Sequence, residues 1–301
     1  LDVATKQRSR SRRNNSRDRE PRYVAPVLDP GWQNPYAPAT AERHANQHAV
    51  RKFALHRKLP QTILIGVIAL ALVVGVVAVV WLPALGVVLA LAYVWDLRRS
   101  LVRYEKRGES LGNAMLEVFK AGGSSVDRQR LITVLDRLTA TFGVDGVSAF
   151  IIDETGYNAA LVPSGASLSM FVTSAMMRDF ELIEIEGVVA HCLARHRLGL
   201  LSREAVASVV NMNDASRRAL AGVGNAYRAD EVAAAAIRYP QGLANALRKC
   251  SRHVNDASSF FSSTNYATWR WIWFDIWGDR TMPDLSDLDD VELRARALDE
   301  W

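Results

Sequence analysis

The chain has 301 residues and a formal net charge of +5, room for one domain of ordinary size plus appendages. Its two cysteines, Cys192 and Cys250, exclude a disulfide framework and suit a reducing compartment. The basic excess is gathered near the N-terminus with no aromatic residues interleaved at stacking intervals, so no specific nucleic-acid partner is expected.

Residues 1–58 show no sustained apolar periodicity and open with Lys6, Arg8, Arg10, Arg12, Arg13, Arg17, Arg19 and Arg22 among Ser and Asn. Such a segment buries too little apolar surface to offset its conformational entropy and is expected to be a disordered basic tail. It reads either as a solvated cytoplasmic tail or as one drawn to anionic lipid or nucleic acid. The chain begins at Leu1 rather than Met, so further residues are expected to precede it.

From Gln61 to Trp95 no residue is charged. A single helix of that length would reach about 52 Å, against an apolar bilayer core of about 30 Å, which predicts a membrane segment broken at Trp81-Leu82-Pro83. Arg51, Lys52, Arg57 and Lys58 precede the run, and Arg98, Arg99, Arg103, Lys106 and Arg107 follow it. Both ends therefore favour the cytoplasmic side, and 59–98 is expected to form a transmembrane helical hairpin in the cell membrane, multi-pass, with tail and domain cytoplasmic. The second arm is short, which leaves a re-entrant or tilted arm open; one long tilted helix with the domain outside is the competing reading. The run starts too late and extends too far for a secretory signal peptide.

The remaining 99–301 read as one domain. Helical patterns cover 110–121 and 126–142, the second placing Leu131, Val134, Leu135 and Leu138 on one face. An alternating stretch over 147–152 and turn signals at Asp153-Glu154-Thr155-Gly156 and Pro163-Ser164-Gly165 predict two or three short strands. Helices are expected over 180–198, from 203–210, over 230–237 and over 241–253. The predicted class is α+β, helix-dominated with a small sheet, preceded by the transmembrane hairpin.

The stretch with a chemical signature is E-G-V-V-A-H-C-L-A-R-H over 186–196, inside the helix expected at 180–198. A zinc-peptidase helix carries H-E-x-x-H, where two His share one face as ligands and the Glu serves as general base. Here His191 holds the first ligand position, Cys192 the position of the base, and Arg195 that of the second ligand. A cation at a ligand position repels a metal, and a thiol does not relay a proton from metal-bound water as a carboxylate does.

Neighbouring segments extend the pattern. Tyr157-Asn158-Ala159-Ala160 is similar to an edge segment x-N-A-x, and 167–177 to I-x-V-T-x-G-L-L. Ala226-Tyr227-Arg228-Ala229-Asp230 is similar to E-Y-x-A-D, 239–249 to P-x-G-L-x-x-A-L-x-K, and 293–298 to P-L-x-x-R-I-x-x-L. Together, over roughly 101–301, the chain resembles the HtpX-like, CAAX-prenyl-protease-type family of membrane zinc metallopeptidases. The resemblance implies that Ala226 replaces the third zinc ligand and that Asp230 keeps a group that orients ligands. Asp230 is expected to pair with a cation such as Arg195 or Arg228. With the base and two ligands replaced, it implies a degenerate peptidase-like domain with no catalytic residue, metal or cofactor.

Two other groups stand out. Cys192 with His196, and Cys250 with His253, have the residue types of a structural Cys2His2 zinc site, although both pairs also suit ordinary helix packing. Trp269, Trp271, Trp273, Phe274 and Trp277 form an aromatic cluster that reads either as core packing with anchoring at a bilayer interface or as a partner-binding patch. Three functions compete. The favoured one is a membrane-anchored inactive metallopeptidase homologue that serves as scaffold, adaptor or accessory subunit, with the lipid bilayer and another membrane protein or complex as partners. The alternatives are a structural subunit of a membrane complex and an active membrane zinc metalloendopeptidase with a rearranged site.

Overall fold

The computed structural model describes residues 37–75, 81–276 and 290–301. They belong to the unit Tyr36–Trp301; the unit Leu1–Pro35, with most of the expected basic tail, lies outside the described residues. From Thr40 the chain is helical, as α1 (Thr40–Gln47) and α2 (Ala49–Gly75), so the tail expected over 1–58 does not extend through its last part. Long-range partners supply the order that local periodicity lacks. Glu42 pairs with Arg228 at 3.1 Å, the Asn46 amide donates to the Leu198 carbonyl at 2.9 Å, and Val50 and Ala54 are buried.

Helix α3 (Trp81–Glu109) packs against α2 in antiparallel fashion, with Lys58 bonded to Asp96 at 2.6 Å and Arg51 within 3.8 Å of Glu105. Pro83, expected at a break, sits in the first turn of α3, where a missing N–H costs nothing. Among the described residues no helix is long and apolar enough to cross a membrane. This corrects the transmembrane hairpin over 59–98 and the multi-pass cell-membrane location derived from it. The reason is how charge is distributed: the uncharged run is divided between two helices. One opens on Arg51, Lys52, Arg57 and Lys58, and the other closes on Asp96, Arg98, Arg99, Arg103, Glu105, Lys106 and Arg107.

Beyond α4 (Leu111–Val118), α5 (Ser125–Phe142) begins on a reciprocal cap between Ser124 and Asp127 and ends on Gly143, whose φ of +61° suits a residue without Cβ. Strands β1 (Val147–Ile152), β2 (Ala159–Ser164) and β3 (Ser167–Thr173) form a sheet in the order β1-β3-β2. β1 is parallel and β2 antiparallel to the central β3, so β2 is left at an edge.

Short α6 (Ser174–Asp179) leads into α7 (Leu182–Arg197), which packs against α5, β2, α10 (Asn225–Ala234) and α11 (Pro240–Arg252). Val188, Val189, Ala190, Leu193 and Ala194 are buried along it, each larger side chain contributing about 1.5–3 kcal/mol by leaving water. Helices α8 (Leu201–Val209), α9 (Asp214–Ala221), α12 (Thr264–Trp269) and α13 (Val291–Asp299) complete the helix-rich body.

Two glycines set the distance between α7 and α11. A Cβ on Gly187 would lie 2.8 Å from the Leu243 backbone, and one on Gly242 would lie 2.5 Å from the Ile183 carbonyl oxygen. Neither neighbour is the end of a flexible side chain, so the backbones themselves must separate. Gly187→Ala is therefore expected to destabilise the domain by about 1–3 kcal/mol in denaturant unfolding. A loss under about 0.5 kcal/mol, the range of an ordinary surface change, would show that this crossing is not tightly packed.

Candidate functional site

His191 lies near the middle of α7 and is 1% exposed. Its Nδ1 is 2.7 Å from Asp230 Oδ1 on α10, and its ring meets the Phe274 ring in a T-shaped contact with centroids 5.1 Å apart. The other side of Asp230 is held by Arg294 of α13, whose Nε donates to Oδ2 at 2.6 Å. Burial pushes the His191 pKa down to about 4, against the pull of the Asp230 charge, so its imidazole is neutral at pH 7 and donates Nδ1–H to the carboxylate. Burial works to raise the Asp230 pKa, but the Arg294 charge and the His191 contact outweigh it, and the net direction is down. Asp230 thus pairs with Arg294, not with Arg195 or Arg228; Arg228 instead reaches Glu42 and Glu231.

One turn along α7, Arg195 is equally buried at 3% exposure. Its NH2 is 2.7 Å from Glu204 Oε2 of α8, and its Nε donates to both Glu204 oxygens at 3.1 and 3.2 Å. The remaining donors reach the carbonyls of Trp271 at 2.6 Å, Ile272 at 2.8 Å and Trp273 at 3.4 Å. Burial raises the Glu204 pKa while Arg195 opposes that rise. The position that would hold the second ligand in a working H-E-x-x-H helix is therefore filled by a fully engaged guanidinium.

His191, Arg195 and Ala226 line one small cleft together with Glu204, Asn225, Trp271, Trp273 and Ile276. Its volume is about 20 Å³, room for roughly one water molecule. The three positions that the resemblance marks as ligand positions therefore meet at one place, with Asp230 behind His191. Cys192 does not face this cleft. It is fully buried in the main core beside Leu161 of β2, and burial pushes its pKa up to about 12, so it is a neutral thiol.

The proposed Cys2His2 set is not brought together. Among the described residues no group of three or more His, Cys, Asp or Glu side chains is placed to hold a metal ion. His196 lies near Arg43 and Arg197, while Cys250 Sγ contacts the Tyr157 carbonyl at 3.7 Å and His253 stacks on the Tyr157 ring. The aromatic cluster is corrected as an exposed patch. Trp271, Trp273 and Phe274 are buried, Trp269 is half-buried against Phe119 and Phe260, and Trp277 lies outside the described residues. Their apolar rings fill space between the sheet and the helices, which gives them core packing in place of a surface.

Sequence reasoning missed Glu204, and it singled out neither Asn158, met only within the segment x-N-A-x, nor Arg294. Arg294 falls within the closing segment 293–298, but nothing in the sequence paired it with Asp230, 64 residues away. Asn158, 1% exposed, uses its side chain to bond the backbone of Asp275, which only the folded chain brings near.

The chain matches no family model, and no curated protein or solved structure is detectably similar to it.

Removing Arg195 alone leaves Glu204 buried without its cation. Arg195→Met is expected to cost about 3–5 kcal/mol in denaturant unfolding, and Glu204→Gln in the same chain to restore part of that loss. Strict additivity of the two single changes would show that they do not interact. The pH dependence has a definite sign. Between about pH 6.5 and pH 4 the unfolded chain protonates His191 more than the folded one does, so this residue's contribution is present above that window and is lost as pH falls through it. The loss is on the order of 3 kcal/mol. Unfolding measured from pH 7 to pH 4 is expected to show a shallower slope for His191→Gln than for the native chain, and equal slopes would count against a neutral buried imidazole.

Proposed function

We propose that this chain is a metallopeptidase-like domain without peptidase chemistry, acting as a scaffold, adaptor or accessory subunit of a protein complex. The observation that carries this reading is the engagement of Arg195: its guanidinium occupies the second ligand position and is held there by Glu204 and backbone carbonyls. Three points support it. Ala226 offers no donor atom, Cys192 points into the core, and the cleft beside His191 is too small for a peptide. An association role is further supported by apolar side chains along the outer faces of α2 and α3, where Ile63, Leu64, Val67, Leu91 and Val94 are exposed.

Metal analysis tests this directly. The purified chain is expected to carry no stoichiometric zinc and to show no metal-dependent proteolysis. A zinc ratio near one that disappears in His191→Ala overturns the reading. The complementary experiment rebuilds a ligand set. Arg195→His with Ala226→Glu, and Glu204→Gln to remove the stranded carboxylate, places two His and one Glu around the cleft. Folded protein of this composition is expected to bind zinc; failure to do so would remove Ala226 from the ligand register.

A further inference from the structure

The end of the α2–α3 pair that meets the domain is well packed, with Val50 and Tyr104 set against Val206 and Ala207 of α8. Further along the pair, among the described residues from Leu55 to Arg99, none is buried. Two helices packed side by side bury one stripe each against the other. Ile65 of α2 and Leu89 and Tyr93 of α3 are half-buried, as such a stripe requires. A second apolar stripe is left over on each helix. Ile63, Leu64 and Val67 on α2, and Val88, Leu91 and Trp95 at i, i+3 and i+7 on α3, are 57–65% exposed. An outer face of this kind normally carries charged and polar side chains, yet neither 61–75 nor 81–95 holds a charged residue.

The area left open is that of an interface. With roughly 100 Å² still exposed on each aliphatic side chain and more on Trp95, the six come to about 700 Å² per copy. The largest apolar patch on a monomer is typically about 300–600 Å², whereas each partner in a standard interface contributes about 800 Å². Trp95 also has the Arg99 guanidinium over its ring at 5.2 Å, and Trp and Arg are the residue types that most often anchor such contacts.

We propose that this outer face joins two copies of the chain, the α2–α3 pair of one lying along that of the other with the same ends together, as a four-helix arrangement about a two-fold axis. Length and charge both select a second copy. The uncharged parts of α2 and α3 match at about 22 Å each, so the occupant has to offer an apolar face of that length, and the same face of another copy does so. Where the uncharged parts end, Arg57, Arg98, Arg99 and Arg103 are exposed, while Asp96 is taken by Lys58 at 2.6 Å and Glu105 lies within 3.8 Å of Arg51. Head-to-tail pairing would press those cations onto the partner's apolar stripe and strip them of water. With the same ends together, apolar meets apolar and the two basic collars come near each other. Their repulsion is screened by salt, so the dimer tightens as salt rises. An acidic partner gripping the collar would show the opposite sign. The proposal gives the association role above a partner and makes no use of the ligand positions; zinc content decides that reading, and oligomeric state decides this one.

The test is sedimentation equilibrium of the full chain in detergent-free buffer. The expected species is a dimer, of twice the 33.4 kDa of one chain. Leu64→Glu and Leu91→Glu, both at exposed positions, are each expected to weaken it at least about tenfold, whereas Val126→Glu on the exposed face of α5 leaves it unchanged. On the unaltered chain, which involves no variant that could fail to fold, raising salt from about 0.1 M to about 0.5 M is expected to tighten the dimer severalfold. A monomer at all concentrations, open-ended aggregates without a defined dimer, weakening by salt, or equal effects of Val126→Glu and Leu91→Glu each overturn the proposal. So does flotation of the chain with phosphatidylcholine vesicles at the expense of the dimer, which would make lipid the occupant of this face.

Discussion

A single buried cation governs the arrangement around the motif helix. A guanidinium carries five donors and cannot be deprotonated, so once α7 places Arg195 inside the protein, an anion and several acceptors must surround it. Glu204 meets the first demand and fixes one face of α8 against α7. The carbonyls of Trp271, Ile272 and Trp273 meet the second and fix the path of the chain between α12 and the sheet edge. The same side chain crosses from α7 to α8 and holds residues 271–273 beside the cleft.

A second polar network lies one turn away and works differently. His191, Asp230 and Arg294 join α7, α10 and α13, and here the charges balance within the set: the Asp230 carboxylate faces the Arg294 guanidinium while the imidazole stays neutral. In a metal site an Asp in this place would orient the ring for a ligand. Without a second and third ligand, the same contact orients His191 toward Phe274 and a water-sized cleft. The Asp230 carboxylate serves as a connection between three helices.

Around these networks the packing is close and apolar. The crossing of α7 and α11 depends on glycine on both helices, and the neutral thiol of Cys192 behaves as a small apolar group beside the sheet. Of the aromatic residues that cluster near the end of the chain, Trp273 lies over the other side of the sheet and meets Phe119 and Phe261 edge to face, whereas Phe274 packs beside His191. Their burial explains why so aromatic a segment leaves little exposed surface there. Exposed apolar side chains lie elsewhere, among them Ile63, Leu64 and Val67 on α2 and Leu91 and Val94 on α3.

Features set by neighbours within a turn or two were legible from residue order. The helix expected over 180–198 forms as Leu182–Arg197, the alternation at 147–152 forms β1, and the pattern at 126–142 forms α5. The residue types at His191, Cys192, Arg195 and Ala226 are likewise read directly from residue order. The uncharged run was misread because its charged flanks were taken only as a guide to membrane orientation, whereas they continue into the same two helices. The partners of Arg195 and Asp230, the meeting of Ala226 with His191 at one cleft, and the pairing of Trp273 with the sheet edge were decided by tertiary structure alone. Arg294 lies 64 residues from Asp230 and Trp271 lies 76 from Arg195, and over such separations a charge does not select its partner by spacing. The partner is whichever segment the apolar core brings alongside, and the buried charge then requires it to stay.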